Sequence, residues 1–158
     1  MRKFEKISFE QFKKDVSDDI NLYNSIELPK RSTMKSAGYD IKSMEGGVIK
    51  PGEAKSFKTG LKVTMNDDEV LYIYSRSSQG YKHNVSLANS VGVIDSDFYN
   101  NTSNEGHFQV RLINLGTQDY IVNIGDRIAQ GVFMKYLTVD DEEEIKSERT
   151  GGLGSTNK

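Results

Sequence analysis

The sequence predicts an all-β fold, a barrel or sandwich of short strands, with one short helix before it and a glycine-rich tail after it. Three observations point there. Apolar residues at helical spacing occur near the start and disappear after Pro29. From there on, short apolar runs recur, alternating or continuous, as half-buried or buried strands do. Each run is closed by a turn signal: Pro51-Gly52, Asn66-Asp67-Asp68, Gly116-Thr117-Gln118 and Gly125-Asp126. Many short strands at regular spacing with few helices make a barrel or sandwich.

In order along the chain, Ser8-Phe9-Glu10-Gln11 has the form of a capping box, with Ser8 as N-cap and Gln11 reaching back. Phe9, Phe12 and Val16 continue it at helical spacing. Asp18 and Asp19 oppose the dipole at the far end, so the helix is short. Ala37-Gly38-Tyr39-Asp40-Ile41 reads as a turn entering a strand. Phe57 to Met65 reads as one extended run and Glu69 to Ser75 as the next, with both of its faces covered. Asn89 to Tyr99 reads as two short strands folded against each other, with Asp95 between apolar neighbours. Asn100 to Gly106 reads as a polar surface excursion. In His107 to Leu115, the residues Phe108, Val110 and Leu112 share a face. Tyr120-Ile121-Val122 and Arg127 to Leu137 are the last extended runs. The acidic run Asp140 to Glu144 is a solvated face or linker, because consecutive carboxylates repel. The expected division is an N-terminal helical extension (1–25), a β-barrel (26–140) and a flexible C-terminal arm (141–158), one domain in all.

Length and composition set limits. A chain of 158 residues with a 35% hydrophobic share folds most simply as one domain with a thin core, and burial between subunits is one remedy. It has no cysteine, hence no disulfide framework and no thiolate metal site. A formal net charge of −2 argues against a general nucleic-acid binder. No apolar stretch is long enough to span a bilayer, and no secretory signal is visible, so a cytoplasmic location is expected.

Five segments place polar residues or glycines where a strand should continue or end. An Asp inside an apolar run such as Val93-Ile94-Asp95 is costly unless hydrogen-bonded or given a task. The bland alternative is a turn whose Asp caps its own backbone. Arg76-Ser77-Ser78 offers one fixed charge, two hydroxyls and consecutive N–H groups, the chemistry of an oxyanion cradle or simply of a polar loop. Gly151-Gly152-Leu153-Gly154-Ser155-Thr156, after Arg149, lets the backbone close around phosphate oxygens, or frays. It is not a Walker loop, since no Lys stands where that loop needs one.

Taken together and in order, these segments closely resemble the trimeric dUTP pyrophosphatases (dUTPases), in a variant like those of phages and low-GC Gram-positive bacteria. The family's five motifs have counterparts in Ala37-Gly38-Tyr39-Asp40, Arg76-Ser77-Ser78, Gly92 to Phe98, Gly125 to Gln130 and Arg149 to Thr156. The resemblance covers residues 26 to 158. It implies a dUTPase-like β-barrel or jelly-roll and hydrolysis of dUTP to dUMP and pyrophosphate by in-line attack of water at the α-phosphorus. Asp95 would hold the water. Asn89, Val93 and Ile94, with the backbone through Asp95, would read the uracil edge. Phe98 would pack under deoxyribose, where the family usually has a tyrosine. Arg76, Ser77 and Ser78 would bind the phosphates, and Gln130 would line the site. Arg149, Gly151, Gly152, Leu153, Gly154 and Ser155 would fold over as a lid. Mg²⁺ is the implied cofactor, held by Asp40 through a water with no direct protein ligand. The implied assembly is a homotrimer with shared sites, with no membrane and no direct nucleic-acid partner.

The chain departs from the family at Leu153, where an aromatic ring usually stacks on uracil, and at Asn100 to His107, which is longer than the usual turn. His83 and His107 are read as structural. Two rival readings remain. A dCTP deaminase would need a carboxylate to activate water at C4, and no second acid is evident beside Arg76-Ser77-Ser78. A phage-encoded relative could also grip a repressor, through Asn100 to His107 or the N-terminal helix.

Overall fold

The computed structural model describes residues 1–153, in which short antiparallel strands predominate. The N-terminal part is β1 (Lys3–Lys6), α1 (Phe9–Asp15) and α2 (Ile20–Asn24). Then follow β2 (Tyr39–Lys42), β3 (Gly47–Ile49), β4 (Ala54–Lys58), β5 (Leu61–Thr64) and β6 (Glu69–Tyr74). A third helix, α3 (Ser77–His83), leads into β7 (Val85–Leu87), β8 (Gly92–Asp95), β9 (Gln109–Asn114), β10 (Tyr120–Val122) and β11 (Arg127–Lys135). Four ladders form: β2-β11-β6-β8, β4-β9-β7, β1-β5 and β10-β3. One core, which includes Ile7, Phe12, Ile41, Phe57, Leu71 and Leu112, joins them. The all-β expectation holds. No helix of the described residues is long and apolar enough to cross a membrane.

The strand β6 is central. Val70, Leu71 and Ile73 are buried while Tyr72 and Tyr74 are half-buried, so both of its faces are covered as the run predicts. In β9 the expected apolar face is buried at Val110 and Leu112, with Phe108 just before it. Buried Asn114 at the end of β9 ties the neighbouring turns, donating to the carbonyls of Ile49 and Gln118 (2.8 and 2.7 Å) and accepting from the Gly116 N–H (2.9 Å). Each of these is a backbone group that a turn would otherwise leave unpaired.

Several local expectations are corrected. The run from Phe57 to Met65 is two strands, because Gly60 turns the chain at φ +71°, a conformation that costs glycine no steric clash. The box at Ser8 is half-formed: the Ser8 hydroxyl accepts from the Gln11 N–H (3.1 Å), but the Gln11 amide turns forward to Asp15 (3.0 Å). Asp19 caps a second helix, accepting from the N–H groups of Asn21 and Leu22 (2.9 and 3.1 Å). The carboxylates that end the first helix therefore start the next. Before α1, Lys3–Lys6 pairs with Leu61–Thr64, a strand too short and too charged to show a period.

Residues 89–99 are not two strands paired together. The single strand β8 joins β6, β7 joins β9 in another sheet, and Ser96–Phe98 is one 3₁₀ turn. Asn100 to Gly106 is not a loose excursion either. Asn101 and Gly106 are buried, and the Asn101 side chain donates to the Phe98 carbonyl (2.9 Å) and accepts from the Ser103 and Asn104 N–H groups (3.0 and 3.1 Å).

Candidate active site

Two clusters collect the predicted residues. The first is at one end of the four-stranded sheet. Its register sets Gln130 of β11 directly between Asp40 of β2 and Tyr74 of β6. The Gln130 amide donates to the Ser75 carbonyl (3.0 Å). Arg76 follows at the start of α3 and sends Nε to Asp40 Oδ1 (3.2 Å). Arg127 Nη1 reaches Asp40 Oδ2 (3.3 Å), and the Ser32 hydroxyl donates to the same oxygen (2.9 Å). Ser77 and Ser78 form the first turn of α3 rather than a loop.

Buried Gln79 holds that helix in place. Its Oε1 accepts from the Arg76 N–H and its Nε2 donates to the Ile128 carbonyl, both at 2.8 Å. Sequence reasoning named neither Gln79 nor Arg127 nor Ser32 as a site residue. The spacing of Gln79, three residues after the helix cap, is the one local signal that could have found it.

The second cluster lines a cleft of about 340 Å³ that includes Val93, Asp95, Phe98, Arg149, Gly152 and Leu153. The strand β8 puts Val93 outward, 58% exposed, and Ile94 inward. The Asp95 carboxylate is half-exposed and is paired with Arg149 Nη2, while Arg149 Nε bonds Asp97 Oδ1 (2.7 Å). Asp97 is thus a residue of this cluster that sequence reasoning did not name as a site residue. Gly152 lies so close to the Phe98 ring that an added Cβ would meet Cε2 at 2.7 Å, so only glycine fits that approach. Leu153 is 91% exposed. Asn89 sits in the exposed turn before β8, its side chain facing Gly92. Gly151 is buried; Gly154 and Ser155 lie outside the described residues.

The ladder keeps the clusters apart. Asp95 pairs with Val70, whereas Arg76 lies beyond Tyr74 at the other end of β6. Six residues of extended chain separate them, about 20 Å at ~3.3 Å per residue. Within one chain, Asp95 and Arg76 cannot grip the same phosphate.

His107 is buried and structural. Its Nε2 accepts the Gly60 N–H (2.9 Å), so its proton sits on Nδ1 and is donated to Asp15 (2.5 Å). Burial holds its pKa below the ordinary value, against the opposing pull of Asp15. Asp15 is itself held low, since the bonds from His107 and Gln11 outweigh its partial burial. The other histidine, His83, is exposed and lies against the Tyr120 ring.

In class, this is a jelly-roll-type all-β protein in which arginines and carboxylates are paired at two separate sites. A family model described as dUTPase matches residues 24–157, and the chain belongs to the dUTPase family. It is 52% identical over 132 residues to the deoxyuridine 5'-triphosphate nucleotidohydrolase of Lactococcus lactis subsp. lactis, a match covering 83% of this chain and 88% of that protein. The corresponding protein of Mannheimia succiniciproducens is 36% identical over 147 residues, covering 89% and 93%. Among solved structures, the dUTPase of Streptococcus mutans superposes with a TM-score of 0.72 at 42% identity, covering 87% of this chain and 98% of that one. The dUTPase of Staphylococcus bacteriophage 80alpha shares the fold with a TM-score of 0.68 at 19% identity, covering 94% and 98%.

Proposed function

We propose that this chain hydrolyses dUTP to dUMP and pyrophosphate, with Asp95 holding the attacking water and Arg76, Ser77 and Ser78 binding the phosphates. The observation that carries the reading is the cleft around Asp95. A carboxylate lies between exposed Val93 and the Phe98 ring, and Gly152 of the glycine-rich tail lies against that ring. The backbone of β8 and Asn89 read the uracil edge. A cytosine presents a donor where uracil presents an acceptor, and a site built for one leaves the other unpaired. The Phe98 ring excludes a 2′-hydroxyl.

Arg149 neutralises Asp95 in the empty cleft. When a triphosphate enters, the guanidinium moves to the phosphates, and the carboxylate is freed to hold water. Gly151, Gly152 and Leu153 then close over it as a lid. The arginines face oxygens that gain charge in the transition state, which is where fixed donors accelerate most.

The chemistry of the donor set fits Mg²⁺. Asp40 is a single half-buried carboxylate among phosphate-binding arginines, and among the described residues no cluster of three or more His, Cys, Asp or Glu could cage a metal. Magnesium keeps several waters and takes substrate phosphates as ligands, so one carboxylate acting through water is enough. Bound there, it would neutralise phosphate charge.

The site is completed by other copies. Since one chain holds Asp95 and Arg76 about 20 Å apart, a single dUTP must take the phosphate cluster from one subunit and the Asp95 cleft from another. A homotrimer with shared sites satisfies this, and its buried interfaces supplement a thin core. The setting is the cytoplasm, where dUMP is used and uracil is kept from DNA.

The test incubates the protein with dUTP, dCTP, dTTP and UTP plus Mg²⁺ and measures pyrophosphate, monophosphate and ammonia. Release of pyrophosphate from dUTP alone is expected. Ammonia from dCTP would instead make it a deaminase, and no turnover of any of the four would leave a binding protein.

A further inference from the structure

We propose that the N-terminal segment, residues 3–15, is a positioning element for the nucleotide cleft, acting through the loop that follows Phe98. The inference rests on the dUTP reading above. Residues 1–23 lie outside the stretch that the family model matches, yet they are tied to the loop that supplies part of the cleft wall.

Three side-chain clasps join this segment to the loop. The Tyr99 hydroxyl donates to Glu5 of β1 (2.6 Å). The Ser8 N–H and hydroxyl, at the cap of α1, both donate to the Glu105 carboxylate (2.9 and 2.5 Å). At the other end of the helix, Asp15 accepts from His107 (2.5 Å). The strand β5, to which β1 is paired, adds a fourth hold: Lys62 donates to Asn100 Oδ1 (2.6 Å) and lies 3.5 Å from Glu105. Glu105 itself stands at φ +59°, a conformation uncommon for a side-chain-bearing residue and one that needs its surroundings to hold it.

The held loop reaches the site in two ways. Ser103, Asn104 and His107 line the same cleft as Asp95 and Phe98. Asn101 ties the loop to the Phe98 carbonyl at 2.9 Å, so a shift of the loop moves the ring on which deoxyribose packs. The clasps touch no reacting atom. Their effect is on the shape of the wall that substrate meets, and that belongs to binding rather than to the chemical step.

The test compares Glu105→Ala and Glu105→Gln in the full chain. Glu105→Ala is expected to raise KM for dUTP by about fivefold or more, because the loop must then be ordered at binding, with kcat within about twofold of the parent. Glu105→Gln keeps an acceptor for Ser8 and is expected to bring KM most of the way back to the parent value. A lowered melting temperature with unchanged KM would overturn the proposal, since the clasp would then be structural only. A fall in kcat at unchanged KM would overturn it too. If Glu105→Ala does not fold, Tyr99→Phe removes one hydroxyl and is read in the same way. A parent protein that releases no pyrophosphate from dUTP overturns the reaction itself, and this inference with it; turnover with unmoved variants overturns this inference alone.

Discussion

The two ends of the four-stranded sheet are built differently. At the Asp40 end, the charged groups of the cluster are engaged with one another: Asp40 takes Arg76, Arg127 and Ser32, and Gln79 and Gln130 anchor the backbone around them. At the Asp95 end, the strand supplies one half-exposed carboxylate and exposed apolar side chains. The partner groups come from a tail more than 50 residues further on. The first end is tied together by bonds within the chain, and on the proposed reading it would bind the phosphates with little rearrangement of its backbone. On the same reading, the second would exchange Arg149 for substrate. Affinity for the phosphates should therefore depend on packing at the Asp40 end, and turnover on motion at the Asp95 end.

The largest effect that tests this contrast is Asp95→Asn. Turnover should fall by about 10²–10⁴, the usual worth of a positioned acid–base group, while a non-hydrolysable dUTP analogue still binds by calorimetry. Unchanged pyrophosphate release would remove Asp95 from its role.

Deleting Arg149 to Lys158 comes next. It should cut kcat/KM by roughly a hundredfold through loss of closure, with the melting temperature of the empty protein nearly unchanged, since few core groups go with it. A large drop in melting temperature would mean that the tail is part of the scaffold, and the contrast between the ends would fail.

Gln79→Ala strikes the other end. It leaves the buried Ile128 carbonyl unpaired, at a cost of about 1–3 kcal/mol, and frees the half-buried Arg76 N–H. Chemical denaturation should show the loss, and KM should rise more than kcat falls.

The smallest effect is on pH. In the folded protein, His107 is held below its ordinary pKa by burial, so below pH ~6.5 the unfolded chain takes up a proton that the folded one refuses. Stability is therefore full above that pH and falls as pH drops toward the folded value, by at most about 1.4 kcal/mol per pH unit. Thermal melts between pH 7.5 and 5.5 should show the decline, and His107→Gln should flatten it. Asp15, held low by His107 and Gln11 against its own burial, adds a further loss at more acid pH, as it takes up a proton in the folded state.

Much of this was legible in residue order. The alternation in Phe108, Val110 and Leu112, the closed turns and the two-sided burial of Val70, Leu71 and Ile73 all report local contacts, and the strands followed them. Gly60 was misread because one glycine inside an apolar run leaves the period unbroken while it breaks the strand. Gln79 and Asn114 were missed because a buried amide has no pattern. It is defined by backbone groups that reach it from elsewhere in the chain, such as the Ile128 carbonyl for Gln79 and the Ile49 carbonyl for Asn114.

By itself, the sequence determined the chemical groups of this protein: strand-forming runs, one carboxylate among apolar residues, arginines beside serines, and a run of glycines after Arg149. These follow from side-chain type and spacing over a few residues. Tertiary structure alone decided that Asp40, Gln130 and Arg76 share one end of a sheet while Asp95 stands at the other, and that residues 3–15 clasp the loop behind Phe98. Such placements depend on strand register and on contacts between groups about 90 residues apart, which no local period encodes.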